Sequence, residues 1–231
     1  MTPPVLLEIA AFDPASALAA AEAGADRIEL CRDAAASGLT PPLDWVRHVT
    51  EATRVPVMAM VRAHAAGWSF SDAEHAAMRD DARRVLDAGA AGVVWGALRA
   101  DGAVDADALQ ALVEAVAPHP VTFHKAVDAA RDLGEAVDTL LACGVRRVLT
   151  SGGAPTALAG ADRLAALIER VGTEIGVMPG GGVRAANVAE IVRRTGARQV
   201  HSGASAPGSD RVDAAEVRRL RAVLDGLGGA L

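Results

Sequence analysis

The chain switches eight times between a short apolar run of strand length and an alanine-rich run of helix length. The strand-length runs fall at 5–10, 27–31, 57–62, 92–96, 121–125, 147–151, 175–178 and 199–202. The helical runs behind them fall at about 13–23, 42–53, 71–88, 105–116, 132–143, 161–171, 184–195 and 213–227. Parallel strands must be joined by long crossovers, and those crossovers are almost always right-handed. Eight such units use up all 231 residues. The predicted fold is therefore α/β, a single-domain (β/α)8 TIM barrel over residues 1–231, with an open doubly wound sheet as the alternative.

Punctuation agrees with that count. Asp13-Pro14 is a helix start and Gly24 a helix stop. Gly24-Ala25, Gly89-Ala90, Gly144-Val145 and Gly196-Ala197 each close a helix and lead into an even-numbered strand. Two odd-numbered strands are entered through Pro56-Val57 and Pro120-Val121. The repeat is two units long, as a closed barrel favours.

Composition limits the partners. With 51% hydrophobic and 23% charged residues the chain can bury a core. The longest apolar run, 55–61, is far short of the roughly 20 residues of a membrane helix, so no membrane partner is expected. The start has no basic leader, which reads as a cytoplasmic protein. A net charge of −6 without a basic block argues against nucleic acid.

Strand parity then sorts the side chains. Leu7 and Ile9 must face the helices, which turns Glu8 inward; Ile28 and Leu30 do the same for Glu29 and Cys31. Val57, Ala59 and Val61 put Met58, Met60 and Arg62 inside, Val121 and Phe123 put His124 inside, and Val200 does so for His201. One buried Glu–Arg pair is common packing. Five ionisable groups, Glu8, Glu29, Arg62, His124 and His201, converging on the strand ends predict a catalytic pocket. Glu8 or Glu29 is the candidate base, with His124 or His201 as acid or base near neutral pH. The same Glu and His set is also compatible with a divalent metal, but no local His-x-Glu or His-x-x-x-His spacing supports one.

Two glycine loops share that mouth: Ser151-Gly152-Gly153, and Gly180-Gly181-Gly182 ahead of Asn187. Backbone amides in such loops can cradle an anion, which predicts a small phosphorylated or carboxylated ligand held by Lys125, Ser151, Gly152, Gly180, Gly181 and Gly182. Lys125 is the one lysine against 22 arginines. Parity turns it toward the helices unless it lies beyond the strand end, which argues against an imine-forming nucleophile. Cys31 sits at the top of its strand and Cys143 at the bottom of a helix, so the two thiols are unrelated. Residues 204–211, rich in Gly, Ser, Pro and Asp, read as a loose loop or lid.

The ordered motifs Gly24-Ala-Asp-Arg-Ile-Glu-Leu-Cys31, Gly38-Leu-Thr-Pro41, Phe123-His-Lys-Ala-Val-Asp128, Leu149-Thr-Ser-Gly152, Met178-Pro-Gly-Gly-Gly182 and His201 resemble the CutC family over residues 5 to about 205. The resemblance implies a cytoplasmic barrel, a homo-oligomer (dimer or higher), and a role in copper homeostasis with Cu(I) binding. Cys31 is the position it offers as a metal ligand. Ala10 stands where family members often carry a second cysteine, His64 where a second arginine is usual, and Lys125 where an arginine is usual.

Overall fold

The computed structural model describes residues 5–206 and 208–227. Eight strands alternate with eight α-helices among them. The strands are β1 (Leu6–Ala11), β2 (Arg27–Leu30), β3 (Val57–Met60), β4 (Gly92–Trp95), β5 (Val121–Phe123), β6 (Arg147–Thr150), β7 (Gly176–Pro179) and β8 (Gln199–Ser202). The helices are α1 (Pro14–Glu22), α2 (Leu43–Ala52), α3 (Asp72–Asp87), α4 (Ala106–Val116), α5 (Leu133–Ala142), α6 (Ala161–Val171), α7 (Val188–Thr195) and α8 (Ala214–Leu227). All strand pairs are parallel, in the order β7-β6-β5-β4-β3-β2-β1-β8, and β7 lies against β8 to bring the sheet round on itself. At that seam Gly176 leaves room for the Gln199 side chain: a Cβ there would lie 2.1 Å from its Nε2, which would have to shift. The fold is a (β/α)8 barrel.

The helix ends carry the chemistry their sequences announce. Asp13 accepts the Ser16 amide at 2.8 Å with Pro14 in the first turn, and Gly24 takes the left-handed conformation behind α1. Ser71 and Glu74 close a reciprocal capping box on α3. Several elements are shorter than periodicity predicts, two of them for a reason visible in their hydrogen bonds. The helix expected from 184 begins at Val188, because Asn187 Oδ1 accepts the Arg184 amide at 2.9 Å and holds 184–187 as a turn. The fifth strand stops at Phe123, because His124 Nδ1 accepts the Ala126 amide at 3.2 Å and starts a 3-10 turn, Lys125–Ala129. The described residues of the 204–211 loop are tied at two points: Ala206 N–H donates to Arg211 C=O at 3.1 Å and Asp213 N–H to Ala204 C=O at 2.8 Å. Pro207 lies outside the described residues.

Parity is obeyed throughout. Leu7, Ile9, Ile28, Leu30, Val93, Phe123, Val148 and Val200 are buried in the layer between sheet and helices. Burying each of these large side chains contributes about 1.5–3 kcal/mol, which frees the barrel interior to hold groups that cost stability. That interior has two halves. Met58, Met60 and Val94 make an apolar half with Cys31, while β1, β2 and β8 supply Glu8, Arg27, Glu29, Gln199 and His201, all buried.

Candidate functional site

Register assembles the polar half. Glu8 is level with Arg27 on one neighbouring strand and with His201 on the other. Its carboxylate is ion-paired to Arg27 Nε through Oε2 and lies 2.8 Å from His201 Nδ1 through Oε1. Arg27 also donates to Gln199 Oε1 at 2.9 Å. On its other side His201 turns Nε2 toward Glu29 Oε2, 3.5 Å away. The result is a row: Arg27, Glu8, His201, Glu29.

The two carboxyls of that row are driven in opposite directions. Burial would raise Glu8, but the hydrogen bond from His201 and the charges of Arg27 and His201 outweigh it and hold Glu8 at about 2. Burial pushes Glu29 up to about 7; His201 and Arg27 pull it down, and the charge on Glu8 pushes it further up. Burial disfavours a charged His201, yet Glu29 and Glu8 together raise it above the ordinary imidazole value. Glu8 is therefore a fixed anion that orients His201 through Nδ1–H, and Glu29 and His201 hold a proton between them close to neutral pH. Arg27 was not among the residues expected, although parity on β2 places it on the same face as Glu29. Arg147 was missed as well. It donates to Thr122 Oγ1 at 3.0 Å, and burial, then the charge on Arg27, lowers it to about 10.

Above the row is a cavity of about 380 Å³ lined by Phe12, Glu29, Cys31, Trp68, His124 and His201, with Met60, Leu149 and Lys125 completing its wall. Its volume falls at the small end of the range for ligand sites. A larger hollow of about 560 Å³ between α5 and α6 opens on the barrel flank and holds no fully buried ionisable side chain.

Each expected site residue has a place, and several differ from the one sequence suggests. Glu29 and His201 line the cavity, while Glu8 sits behind them. His124 lines it too, but burial, reinforced by the Arg62 charge, drops it to about 3. It is a neutral imidazole, whereas His201 is held above the ordinary imidazole value. Arg62 is buried but does not line the cavity. It donates to the carbonyls of Ala36 at 2.8 Å and Gly38 at 3.3 Å, and stacks 4.2 Å from the Trp68 ring centroid. It ties two loops together.

Lys125 lies past the strand end, the case in which alternation does not turn it toward the helices, and reaches back to the mouth. Its Nζ donates to Asp128 Oδ2 at 2.5 Å and to Ser151 Oγ at 2.8 Å. The Asp128 carboxylate also accepts the amides of Ser151 and Gly153 at 2.9–3.1 Å and the Thr150 hydroxyl at 2.5 Å. The loop after β6 thus receives its anion from within the chain; Gly152 N–H donates to Thr150 Oγ1 at 2.9 Å, and an outside phosphate would have to displace Asp128. In the loop after β7, Gly180 N–H donates to Thr150 C=O at 3.0 Å, while the Gly181 and Gly182 carbonyls are taken by Ala157 N–H and Asn187 Nδ2. Phe12 and Trp68 carried no sequence signal and Asp128 only its place in the motif Phe123–Asp128, because none of the three is brought to the mouth by strand parity.

A match to the CutC family model extends over residues 5–206. The chain belongs to the CutC family. A CutC family protein of Xanthomonas campestris is 41% identical over 208 residues, covering 90% of this chain and 87% of that protein. One of Caulobacter vibrioides is 43% identical over 208 residues, covering 89% and 84%. The crystal structure of the CutC protein of Streptococcus agalactiae, named for copper homeostasis, superimposes with a TM-score of 0.82 at 27% identity, over 86% of this chain and 98% of that one. Phosphoribosylanthranilate isomerase of Thermotoga maritima shares the barrel alone, with a TM-score of 0.64 at 14% identity over 96% and 99%.

The CutC name raises the question whether this donor set fits Cu(I). Copper(I) binds thiolate, and burial, reinforced by Glu29 and Glu8, pushes the Cys31 thiol well above its ordinary value and keeps it protonated. A Cβ on Gly38 would be 3.2 Å from Cys31 Sγ and 3.3 Å from the Met60 methyl carbon, so that side of the thiol is packed. Among the described residues no three His, Cys, Asp or Glu side chains form a metal-holding group. The residues present do not fit a copper ion. No helix among the described residues is long and apolar enough to cross a membrane.

Proposed function

We propose that this CutC-family barrel is an enzyme of small-molecule metabolism that works by general acid–base catalysis. The observation that carries the reading is the Glu8–His201–Glu29 row, in which a fixed anion orients an imidazole against a second, partly protonated carboxyl at the wall of a cavity. An acid–base group is most effective when its pKa is near the working pH, and Glu29 at about 7 meets that condition. Glu29 and His201 are the catalytic residues of the proposal; Glu8 and Arg27 are positioning residues. Lys125 is neutralised by Asp128 and Arg62 does not line the cavity, so this reading takes a small uncharged ligand over the phosphorylated or carboxylated one that the glycine loops suggest.

Copper homeostasis, the role in the name of the Streptococcus relative, then describes an effect in the cell rather than a Cu(I) site at Cys31. The test is to incubate the protein with an undialysed mixture of small metabolites and follow every component by mass spectrometry, beside Glu29→Gln and His201→Asn. The reading expects at least one compound converted by the wild type and by neither variant. Conversion of nothing, or equal conversion by all three proteins, overturns it.

A further inference from the structure

His124 does not belong to the proton-sharing row, yet it is built into the cavity with care. Its ring occupies space that exists only because residue 96 is glycine: a Cβ there would lie 2.5 Å from His124 Nδ1 and 2.6 Å from Cε1. Trp68 packs against it with ring planes tilted by 53° and centroids 4.9 Å apart, and Phe123 packs at 6.0 Å. Nδ1 accepts the Ala126 amide at 3.2 Å, so in a neutral ring the proton must sit on Nε2. The ring is held neutral by burial and by the Arg62 guanidinium. Yet Nε2, the donor so fixed, is buried and has no hydrogen-bond partner. His124 is only 4% exposed. An unmet donor of this kind costs stability, and His124 is one of the residues that line the cavity.

We infer that His124 Nε2–H is the electrophilic donor for a carbonyl oxygen, and that the cavity takes a small uncharged hydroxy-carbonyl compound and moves a proton at the carbon beside that carbonyl. The inference rests on the acid–base reading of Glu29 and His201 and deepens it by naming the substrate class. The step balances within the protein. The Glu29 carboxylate, with His201 beside it, takes the proton from the carbon next to C=O. The C–H electron pair becomes the new C=C bond, and the carbonyl π pair moves onto oxygen, where His124 Nε2–H stabilises the growing negative charge. The proton then returns to the same or the adjacent carbon, giving exchange or isomerisation with no outside oxidant, reductant or cofactor. A neutral imidazole suits this task because it donates without giving its proton away, and a donor placed where charge develops acts on the transition state more than on the ground state.

The experiment is loss of carbon-bound hydrogen in D2O, followed by proton NMR, with hydroxyacetone, dihydroxyacetone and glycolaldehyde as probes. The wild type is expected to exchange the hydrogen beside the carbonyl of at least one probe faster than Glu29→Gln does. His124→Ala is expected to lower kcat by about 10²–10³-fold, with a smaller change in KM and an unshifted pH profile. His124→Gln, whose amide can still donate, should recover part of the loss, and it keeps the test valid should the alanine variant fold poorly. Exchange no faster than in Glu29→Gln for all three probes overturns the proposal, as does an unchanged kcat in His124→Ala. If the metabolite mixture is converted in a Glu29- and His201-dependent way but its product gains no deuterium beside a carbonyl, this inference falls and the acid–base reading stands.

Discussion

Replacing Glu29 by glutamine is expected to make the protein more stable at alkaline pH and nearly unchanged at acid pH. Glu29 is 4% exposed, lies 3.5 Å from the His201 imidazole and is near enough for its charge to act on the Cys31 thiol. Burial, with the fixed charge on Glu8, lifts it from 4.5 to about 7, against the pull of His201 and Arg27. Because the folded-state pKa is the higher one, the folded chain binds the extra proton between these values. Ionising Glu29 therefore costs folding free energy that grows as pH rises from 4.5 to 7 and is fully present above 7. At about 1.36 kcal/mol per pKa unit that gap is worth about 3 kcal/mol. Glutamine has nearly the same shape and never ionises. Its advantage is about 3 kcal/mol near pH 8.5 and under about 1 kcal/mol near pH 4.5, where the wild type is itself protonated. Urea unfolding of both proteins at the two pH values measures the difference. A variant equal to or less stable than the wild type at pH 8.5 would refute the reasoning that burial holds this carboxyl against ionisation.

Three further outcomes follow from the same geometry. Glu8→Gln leaves Arg27 buried without its counter-charge and should cost about 3–5 kcal/mol, most of it recovered when Arg27→Met is added; equal losses in the single and double variants would contradict the pairing. Cu(I) titration of the reduced protein against a strong competitor should give the same result for wild type and Cys31→Ser, and a tight site lost with the thiol would reverse the conclusion drawn from the donor set. Gly160→Ala places a Cβ 1.9 Å from the Ser151 carbonyl oxygen, a backbone clash that cannot be relieved by a rotamer. It should destabilise by at least about 2 kcal/mol in thermal or urea unfolding, and a neutral result would show the loop after β6 to be freer than described.

The fold was legible because two periodicities dominate this chain. Alternation such as Leu7/Ile9 against Glu8 can be satisfied only by a strand with one face on helices, and eight repeats of strand and helix leave one simple closure. The inward direction of Glu8, Glu29 and His201 followed from the same alternation, and their meeting follows from register, which places Glu8 level with both Arg27 and His201. What sequence could not give lies where the chain leaves the strands. Lys125 is turned back by a 3-10 turn, Arg62 is drawn to loop carbonyls, and Asp128 fills the amide nest that the Ser151-Gly152-Gly153 glycines seemed to hold open for a ligand. Parity also says which histidines point inward but not how they are charged. Two inward histidines differ in role because one faces two carboxylates and the other faces a guanidinium and a tryptophan.

Carbon-13 NMR of glutamate-labelled protein distinguishes a permanently ionised carboxyl at Glu8 from one at Glu29 that titrates near neutrality. The account predicts that the Glu8 side-chain carboxyl keeps the shift of a carboxylate from pH 4.5 to 9, while the signal missing from Glu29→Gln titrates with a midpoint close to 7. A Glu29 midpoint in the ordinary range near 4.5 would contradict it and leave the cavity without its acid–base group.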